Sequence, residues 1–287
     1  MGPSVVAIGG GHGLSTVLEA MVGRASSLIG VVSVADDGGS SGRLRRDLDI
    51  VAPGDMRRCL AALTPEGLMR DALEHRFESG VLAGHPAGNV VLAAMLELEP
   101  DPVLVMDTLV EMVGARGRVL PATSVAVDLV ATAERGTVKG QVAISERGAI
   151  RSLRFSPANP EVPAAVSEAI VNADLIVLGP GSLYSSVLAP VVPGVAAALK
   201  RRSGTLAYVA NLSAEPGETD GYDLDDHIDA VERHGISPDV VIADANASVP
   251  RRRQDRIRSC ELVGALQSAH SAHDPRRLGA ALFDLVS

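Results

Sequence analysis

The sequence predicts an α/β protein with a Rossmann-like three-layer α/β/α core, a mostly parallel sheet and a small antiparallel insert. Two aliphatic runs end in glycines and continue into segments of helical periodicity, over residues 5–18 and 173–188. Hydrophobic residues make up 46% of the chain but aromatic residues only 2%, so the core must consist of aliphatic side chains. Such strands are typical of a parallel sheet that is buried on both faces.

Composition excludes several classes of protein. The formal net charge of -9 argues against a general affinity for nucleic acid or for an anionic membrane. Cys59 and Cys260 are far apart and predict neither a metal knuckle nor a disulfide framework. No apolar run approaches the roughly 18 residues of a membrane span, and no export signal is recognisable. We therefore expect a cytoplasmic protein with a single domain over residues 1–287 and no metal site.

The first glycine loop, residues 9–13, follows a buried strand and precedes a predicted helix. A phosphate can approach the backbone where no Cβ intervenes, and a helix N-terminus offers free N–H groups. The dinucleotide fingerprint G-x-G-x-x-G is incomplete, because Leu14 occupies the position of its third glycine. A plain strand-to-helix turn is the alternative interpretation. Phosphate contacts are predicted for Gly10, Gly11, His12 and Gly13.

An acidic, glycine-rich segment follows the second predicted strand, residues 29–35. In Rossmann-like units an acidic residue at this point binds a ribose hydroxyl, so Asp36 or Asp37 is predicted to contact a sugar or ribose. An ordinary Asp-Gly turn is the alternative. Arg43 comes next and is predicted to contact an anion, since guanidinium groups match phosphate and carboxylate geometry. Arg45 and Arg46 are as readily explained as surface ion pairs.

The middle of the chain has a helical segment followed by a segment of short strand-like runs. Helices are predicted over residues 66–84, 90–98 and 101–114. Asn89, at the start of the second of these, is predicted to contact a sugar or ribose, whereas His85 is interpreted as a cap or core residue. Short strand-like runs separated by turn signals then predict an antiparallel insert around residues 118–155, with one strand over 140–144.

The second glycine loop, residues 179–182, again joins an aliphatic strand to a hydroxyl-bearing segment. In open parallel sheets, loops that follow the strands at the topological switch point face one crevice. We therefore expect both glycine loops to line one pocket, with Gly181 and Ser182 contacting phosphate and Tyr184 contacting an anion. Asn211, which ends a strand predicted over residues 205–210, is a further candidate for sugar or ribose contacts.

Six motifs together resemble the gluconeogenesis factor family (YvcK-type, CofD-like), a branch of the 2-phospho-L-lactate transferase superfamily. The resemblance spans nearly the whole chain and rests on residues 9–13, 35–45, 53–55, 85–89, 178–184 and 216–222. It implies a Rossmann-like core that binds a UDP-sugar such as UDP-N-acetylglucosamine. It also implies a cytoplasmic bacterial protein needed for cell shape and for growth on gluconeogenic carbon sources.

Two functions follow from this resemblance. The first is a regulatory nucleotide-sugar-binding protein without turnover or cofactor, with protein partners in cell-wall synthesis and a homo-oligomeric state. The second is a metal-dependent transferase, in which Asp36 or Asp37 would hold Mg²⁺ beside a diphosphate and promote attack on a phosphoryl group. Catalytic residues are not assigned.

Overall fold

The computed structural model describes residues 2–134, 136–212, 217–245, 254–263 and 273–286. Seven strands of this part of the chain form a large sheet: β1 (Ser4–Gly9), β2 (Ser27–Val32), β3 (Arg118–Pro121), β7 (Leu175–Leu178), β8 (Thr205–Val209), β9 (Val240–Asp244) and β10 (Ile257–Cys260). Three further strands form a small sheet: β4 (Asp128–Ala133), β5 (Gly136–Lys139) and β6 (Ile150–Ser156).

The helices surround the large sheet and connect its strands. They are α1 (Gly11–Met21), α2 (Gly39–Leu48), α3 (Gly54–Leu63), α4 (Leu68–Glu74), α5 (Ala87–Leu98), α6 (Pro102–Val113), α7 (Gln141–Ser145), α8 (Ala164–Asn172), α9 (Pro193–Lys200), α10 (Leu224–Arg233) and α11 (Pro275–Phe283). A π-helical turn spans Leu183–Val187, and a short 3₁₀ turn spans Gln254–Arg256.

The large sheet is parallel throughout, with strand order β3-β2-β1-β7-β8-β9-β10. Successive side chains of a strand point to opposite faces, and in β1 Val5 and Ala7 join one apolar cluster while Val6 and Ile8 join another. Helices cover both faces, with α1, α3 and α11 over the first cluster and α8 and α9 over the second. The predicted three-layer α/β/α fold with a mostly parallel sheet is confirmed.

The predicted antiparallel insert is present, but it begins later in the chain than predicted. Arg118–Pro121 was assigned to the insert and instead forms the edge of the large sheet, parallel to β2. The small sheet has the order β5-β4-β6 and ends at Ser156. A four-residue run such as β3 has no periodicity that distinguishes a parallel from an antiparallel strand, so only its pairing partner decides.

Two other segments also differ from expectation. Residues 140–144 were predicted as a strand but belong largely to α7, whose Val142 N–H donates to the Asp37 carboxylate. The helix predicted over residues 66–84 ends at Glu74, because the next residue, His75, leaves the helical region with a ψ of 119°. Arg76 then pairs with Pro86 in an isolated antiparallel bridge, and the chain between them turns through Gly80 and Gly84, whose φ angles are 75° and 80°.

None of the helices in the described ranges is long and apolar enough to cross a membrane. Cys59 and Cys260 are both free thiols.

Candidate functional site

The two glycine loops lie side by side at the topological switch point of the large sheet. β1 pairs with β2 on one side and with β7 on the other, and the chain order reverses between β1 and β7. The predicted adjacency of these strands is therefore confirmed. Because parallel strands end at the same edge, both loops open toward one crevice, where open α/β sheets bind ligands.

Direct contact between the loops explains one of the glycines. A Cβ built on Gly13 would lie 2.0 Å from the carbonyl oxygen of Pro180, much closer than any side chain could tolerate. Gly13 thus lets the first turn of α1 pack against the second glycine loop. The space beside the Gly13 Cα is therefore filled by the second glycine loop. A phosphate could contact Gly13 only through its amide, and this contact remains a prediction.

Asp55, in the first turn of α3, already occupies the N-terminus of α1. Its Oδ2 accepts from the Gly11 amide at 2.8 Å, and its Oδ1 accepts from Arg58 Nη1 at 2.6 Å. Asp55 is only 5% exposed. A helix N-terminus attracts negative charge, and this carboxylate supplies it from within the chain. A phosphate at Gly11 would have to displace Asp55, whereas the His12 and Gly13 amides have no intrahelical acceptor.

Asp36 lies beside the first turn of α3, where its Oδ2 would be 3.1 Å from a Cβ on Gly54, the neighbour of Asp55. The Gly38 amide donates to Asp36 Oδ1 at 2.9 Å, and the Ser41 hydroxyl also donates to this carboxylate. Burial, followed by repulsion from the Asp55 carboxylate, raises the pKa of Asp36. Two carboxylates that approach each other at the end of a sheet favour a bound cation or a hydroxyl donor between them.

This raised pKa makes a prediction for Asp36→Asn. A group whose pKa is higher in the folded than in the unfolded protein destabilises the fold once it is ionised in both states. The wild-type protein therefore loses stability as pH rises from the ordinary aspartate value of 3.8 through the higher folded pKa, and Asp36→Asn avoids that loss. We expect the variant to be more stable at pH 7 and to gain nothing at pH 3.

Urea unfolding of both proteins at the two pH values measures this difference. Asp101→Asn is the control, because Asp101 is an exposed helix cap on α6, remote from the crevice in sequence. Equal stability of wild type and Asp36→Asn at pH 7 would contradict the prediction.

Asp37 is engaged by the insert. Its Oδ1 accepts from the Val142 amide at 3.0 Å, and a Cβ on Gly140 would lie 2.2 Å from its Oδ2. Asp37 therefore connects the second strand to the first turn of α7. Of the two aspartates that the sequence left open for a sugar or ribose, the geometry favours Asp36.

Three residues from elsewhere in the chain hold the second glycine loop and the π-helical turn that follows it. Asn211 Oδ1 accepts from the Gly181 amide at 2.8 Å, which brings the end of β8 to this loop. Glu218, only 1% exposed, accepts from both the amide and the hydroxyl of Ser185. Gln141 Nε2 donates to the Ser185 carbonyl at 2.9 Å. Since Asn211 already has a partner, its predicted sugar contact would use its remaining groups.

Ser186 lies between the two glycine loops. Its Cβ would be 3.1 Å from a Cβ on Gly181, and its Cα 3.7 Å from one on Gly10. Ser182, which precedes the π-helical turn, is half-buried and makes no side-chain cap bond. Sequence reasoning missed Ser186, Glu218 and Asp55 as parts of this region. Their motifs were noticed, but nothing in a linear pattern shows which loop a distant carboxylate reaches.

His12 is exposed at the first turn of α1. Loss of hydration lowers the pKa of its imidazole, and the Arg58 guanidinium lowers it further, while Asp55 acts in the opposite direction. His12 is therefore neutral at pH 7 and can donate or accept a hydrogen bond beside the loop. Its assignment as a phosphate contact remains a prediction.

Asn89 belongs to a buried polar network instead of the crevice wall. Arg57 Nε donates to its Oδ1 at 3.3 Å, and its Nδ2 donates to Ser40 Oγ at 3.2 Å. Ser40 Oγ in turn lies 2.8 Å from His85 Nδ1. Asn89 is 2% exposed and both ends of its amide have partners, so its predicted sugar contact does not agree with its position.

Tyr184 is also placed differently from expectation. It is completely buried, and its hydroxyl donates to the Ile150 carbonyl at 3.1 Å and lies 3.2 Å from the Tyr222 hydroxyl. Burial raises the pKa of Tyr184. This position in the core beneath the insert does not agree with an anion contact.

The arginines of α2 separate into two kinds. Arg45 Nη2 pairs with Asp128 Oδ1 at 2.6 Å and ties α2 to the insert. Arg43 is exposed, and within the described ranges it pairs with no carboxylate. Arg43 therefore stays available as an anion contact. Residues 251–253 of the basic block, and Pro216 of the last motif, lie outside the described residues.

Among the described residues, no group of three or more His, Cys, Asp or Glu side chains is arranged to hold a metal. An apolar groove of about 560 Å³ lies between the insert and α9, lined by Val130, Leu153, Phe155, Leu188 and Pro193 among others. None of its lining residues was predicted to bind a ligand.

Comparison with known proteins identifies the family. The model of the family "2-phospho-L-lactate transferase CofD" matches residues 5–282. The gluconeogenesis factor of Halalkalibacterium halodurans is 41% identical over 83% of this chain and 77% of its own length. A Mycobacterium tuberculosis protein is 41% identical over 98% of this chain and 90% of its own length.

Solved structures agree with this result. A crystal structure of a Bacillus halodurans protein, determined at 2.60 Å, superimposes with a TM-score of 0.89. It is 34% identical and covers 97% of this chain and 98% of its own. A second structure of a protein from that organism is 39% identical and gives a TM-score of 0.83 over 87% of this chain and 82% of its own. The chain belongs to the CofD family and, within it, to the gluconeogenesis factors.

Proposed function

We propose that this gluconeogenesis factor binds a nucleotide sugar of the UDP-N-acetylglucosamine type in the crevice between the two glycine loops. The observation that carries this proposal is the contact of both loops at the switch point between β1 and β7. Two helical turns present amides to one place there, and this arrangement suits a diphosphate. Asp36 lies in the loop that follows β2, where a sugar or ribose hydroxyl would be held.

The diphosphate would contact the amides of His12 and Gly13 and the Ser182 hydroxyl. The Gly11 and Gly181 amides have internal acceptors, so ligand binding there requires Asp55 or Asn211 to move. Binding would report the supply of this precursor to proteins of cell-wall synthesis, without chemical turnover. On this proposal the protein acts in the bacterial cytoplasm and supports cell shape and growth on gluconeogenic carbon sources.

Titration calorimetry with UDP-N-acetylglucosamine in the absence of magnesium tests the proposal. We expect saturable binding, and at a ligand concentration 100 times Kd a stabilisation of about 2.7 kcal/mol. Ser182→Val should weaken binding about tenfold or more, because it replaces a hydroxyl with a branched apolar group beside the second glycine loop.

Ser27→Val is the matched control, since Ser27 is exposed at the opposite end of β2. Undiminished affinity in a folded Ser182→Val variant would place the ligand elsewhere. Absence of any binding by the wild-type protein would refute the proposal itself.

The proximity of Asp36 and Asp55 favours one alternative, a metal-dependent transferase acting on a nucleotide-diphosphate-linked substrate. Mg²⁺ is usually bound through one or two carboxylates together with substrate phosphates, so this pair fits it. When bound, the ion would neutralise charge on the transferred phosphoryl group. Magnesium-dependent release of a nucleotide, abolished by Asp36→Asn, would favour this alternative over the regulator.

A homo-oligomer is also part of the proposal. Leu68, Leu98 and Met112, on α4 to α6, are 85%, 87% and 68% exposed, and exposed apolar surface of this kind supports association with a second copy or a partner. Light scattering after size-exclusion chromatography gives the mass of the particle in solution. A monomeric mass at all protein concentrations would refute the homo-oligomer.

A further inference from the structure

Two arginines are brought together at Gly84, outside the glycine loops. Arg76 Nη1 donates to the Gly84 carbonyl, and a Cβ on Gly84 would lie 3.1 Å from Arg43 Nη2. Within the described ranges neither guanidinium forms a salt bridge. Like charges repel, so two unneutralised guanidinium groups at one residue favour a bound anion.

A chain of directed hydrogen bonds fixes the imidazole of His85 beside them. Arg57 can only donate, so its bond to Asn89 Oδ1 orients that amide with Nδ2 toward Ser40. The Asn89 amide therefore donates to Ser40 Oγ, which also shares a hydrogen bond with His85 Nδ1, 2.8 Å away. This bond uses Nδ1, so Nε2 is the ring nitrogen left for a ligand.

The charges around His85 keep its ring neutral. Loss of hydration lowers the pKa of His85, and the positive charges of Arg43 and Arg76 lower it further. Asp47 acts in the opposite direction and has the smallest influence of these groups. At pH 7 the neutral ring can therefore donate or accept a hydrogen bond next to two permanent cations.

We propose that Arg43, Arg76 and His85 form a second anion site that binds the phosphate group of a small phosphorylated metabolite. Two guanidinium groups supply charge-assisted donors and the imidazole adds a third polar group, so three side chains converge, which suits the tetrahedral oxygens of phosphate better than the planar pair of a carboxylate. Ser40, Asn89 and Arg57 are positioning residues that hold the imidazole. The site does not depend on nucleotide-sugar binding at the glycine loops.

Inorganic phosphate, followed through the histidine side-chain resonances by NMR at pH 7.5, tests the proposal. We expect the His85 resonances to shift saturably. His12 reports separately on the first glycine loop, so failure of one site is distinguishable from failure of the other. His227, buried against Tyr208 and Tyr222, is the internal reference and should not respond.

The double variant Arg43→Gln with Arg76→Gln should weaken the His85 response about tenfold or more, since it removes both charge-assisted donors. Arg46→Gln, on the same helix but bonded to the Asp37 carbonyl, is the control and should leave it unchanged. An unresponsive His85 in the wild-type protein, or an equal response in the double variant, would overturn the proposal. A tighter response to succinate than to phosphate would overturn the phosphate assignment.

Discussion

Gly13→Ala is expected to lower the free energy of unfolding by about 3 kcal/mol, the upper end of the range for overpacking, and to abolish ligand binding at the crevice. The added Cβ would meet the Pro180 carbonyl oxygen at 2.0 Å and its carbonyl carbon at 2.7 Å. Both partners are backbone atoms, so no side-chain rotation relieves the clash. The two glycine loops must separate, which disrupts the crevice and the first turn of α1 together.

Urea unfolding followed by circular dichroism measures this effect, because the chain contains no tryptophan to serve as a fluorescence probe. Gly9→Ala is the matched control. Its Cβ would lie 3.5 Å from the Leu14 Cβ, an ordinary van der Waals contact, so we expect the free energy of unfolding to fall by less than about 1 kcal/mol. Gly13→Ala with the stability of the control would mean that the loops do not touch in solution.

Asp55→Ala is expected to lower the free energy of unfolding by about 2–4 kcal/mol. The Gly11 amide at the start of α1 loses its acceptor, and an unsatisfied buried donor costs about 1–3 kcal/mol. Arg58 also loses its partner, although its side chain is 22% exposed and water compensates in part. The same variant removes the repulsion from Asp36, so the pKa of Asp36 should fall.

Asp55→Asn separates these effects, because an amide oxygen can still accept from Gly11 while the charge is lost. We expect it to retain more stability than Asp55→Ala and yet to lower the pKa of Asp36 similarly. Unfolding curves give the stabilities, and carboxyl ¹³C chemical shifts against pH give the pKa. An unchanged pKa of Asp36 in both variants would show that the two carboxylates do not interact.

Sequence reasoning succeeded where a local pattern decides the structure. The two strand–glycine–helix units at residues 5–18 and 173–188 were correctly placed as neighbours, because the parallel fold leaves few arrangements for them. It failed at residues 140–144, where the alternating Val142 and Ile144 suggested a strand but belong to α7, whose first turn donates from the Val142 amide to the Asp37 carboxylate. A segment of about five residues is too short for its hydrophobic periodicity to distinguish a helix from a strand, so contacts with distant residues decide its conformation.

The candidate site shows the same division. Asp36 and Ser182 were proposed from sequence because each lies in a polar loop after a predicted strand, and their ligand contacts remain predictions. Tyr184 could not be judged that way, since a π-helical turn directs it into the core toward Ile150. Glu218 was overlooked, although it is a buried carboxylate that holds the π-helical turn after the second glycine loop, because 33 residues separate it from Ser185.

The three-layer fold and the two glycine loops could be predicted from the sequence, because hydrophobic periodicity and residue types along short stretches of chain specify them, and the family followed from the resemblance of six motifs. What each loop residue can contact depends on the packing of the whole chain. Gly13 is required where the first turn of α1 packs against Pro180, the Gly11 amide donates to Asp55, and Arg43 and Arg76 both lie at Gly84. Hydrogen bonds and charges act over a few ångströms in space, whatever the separation of the residues in sequence.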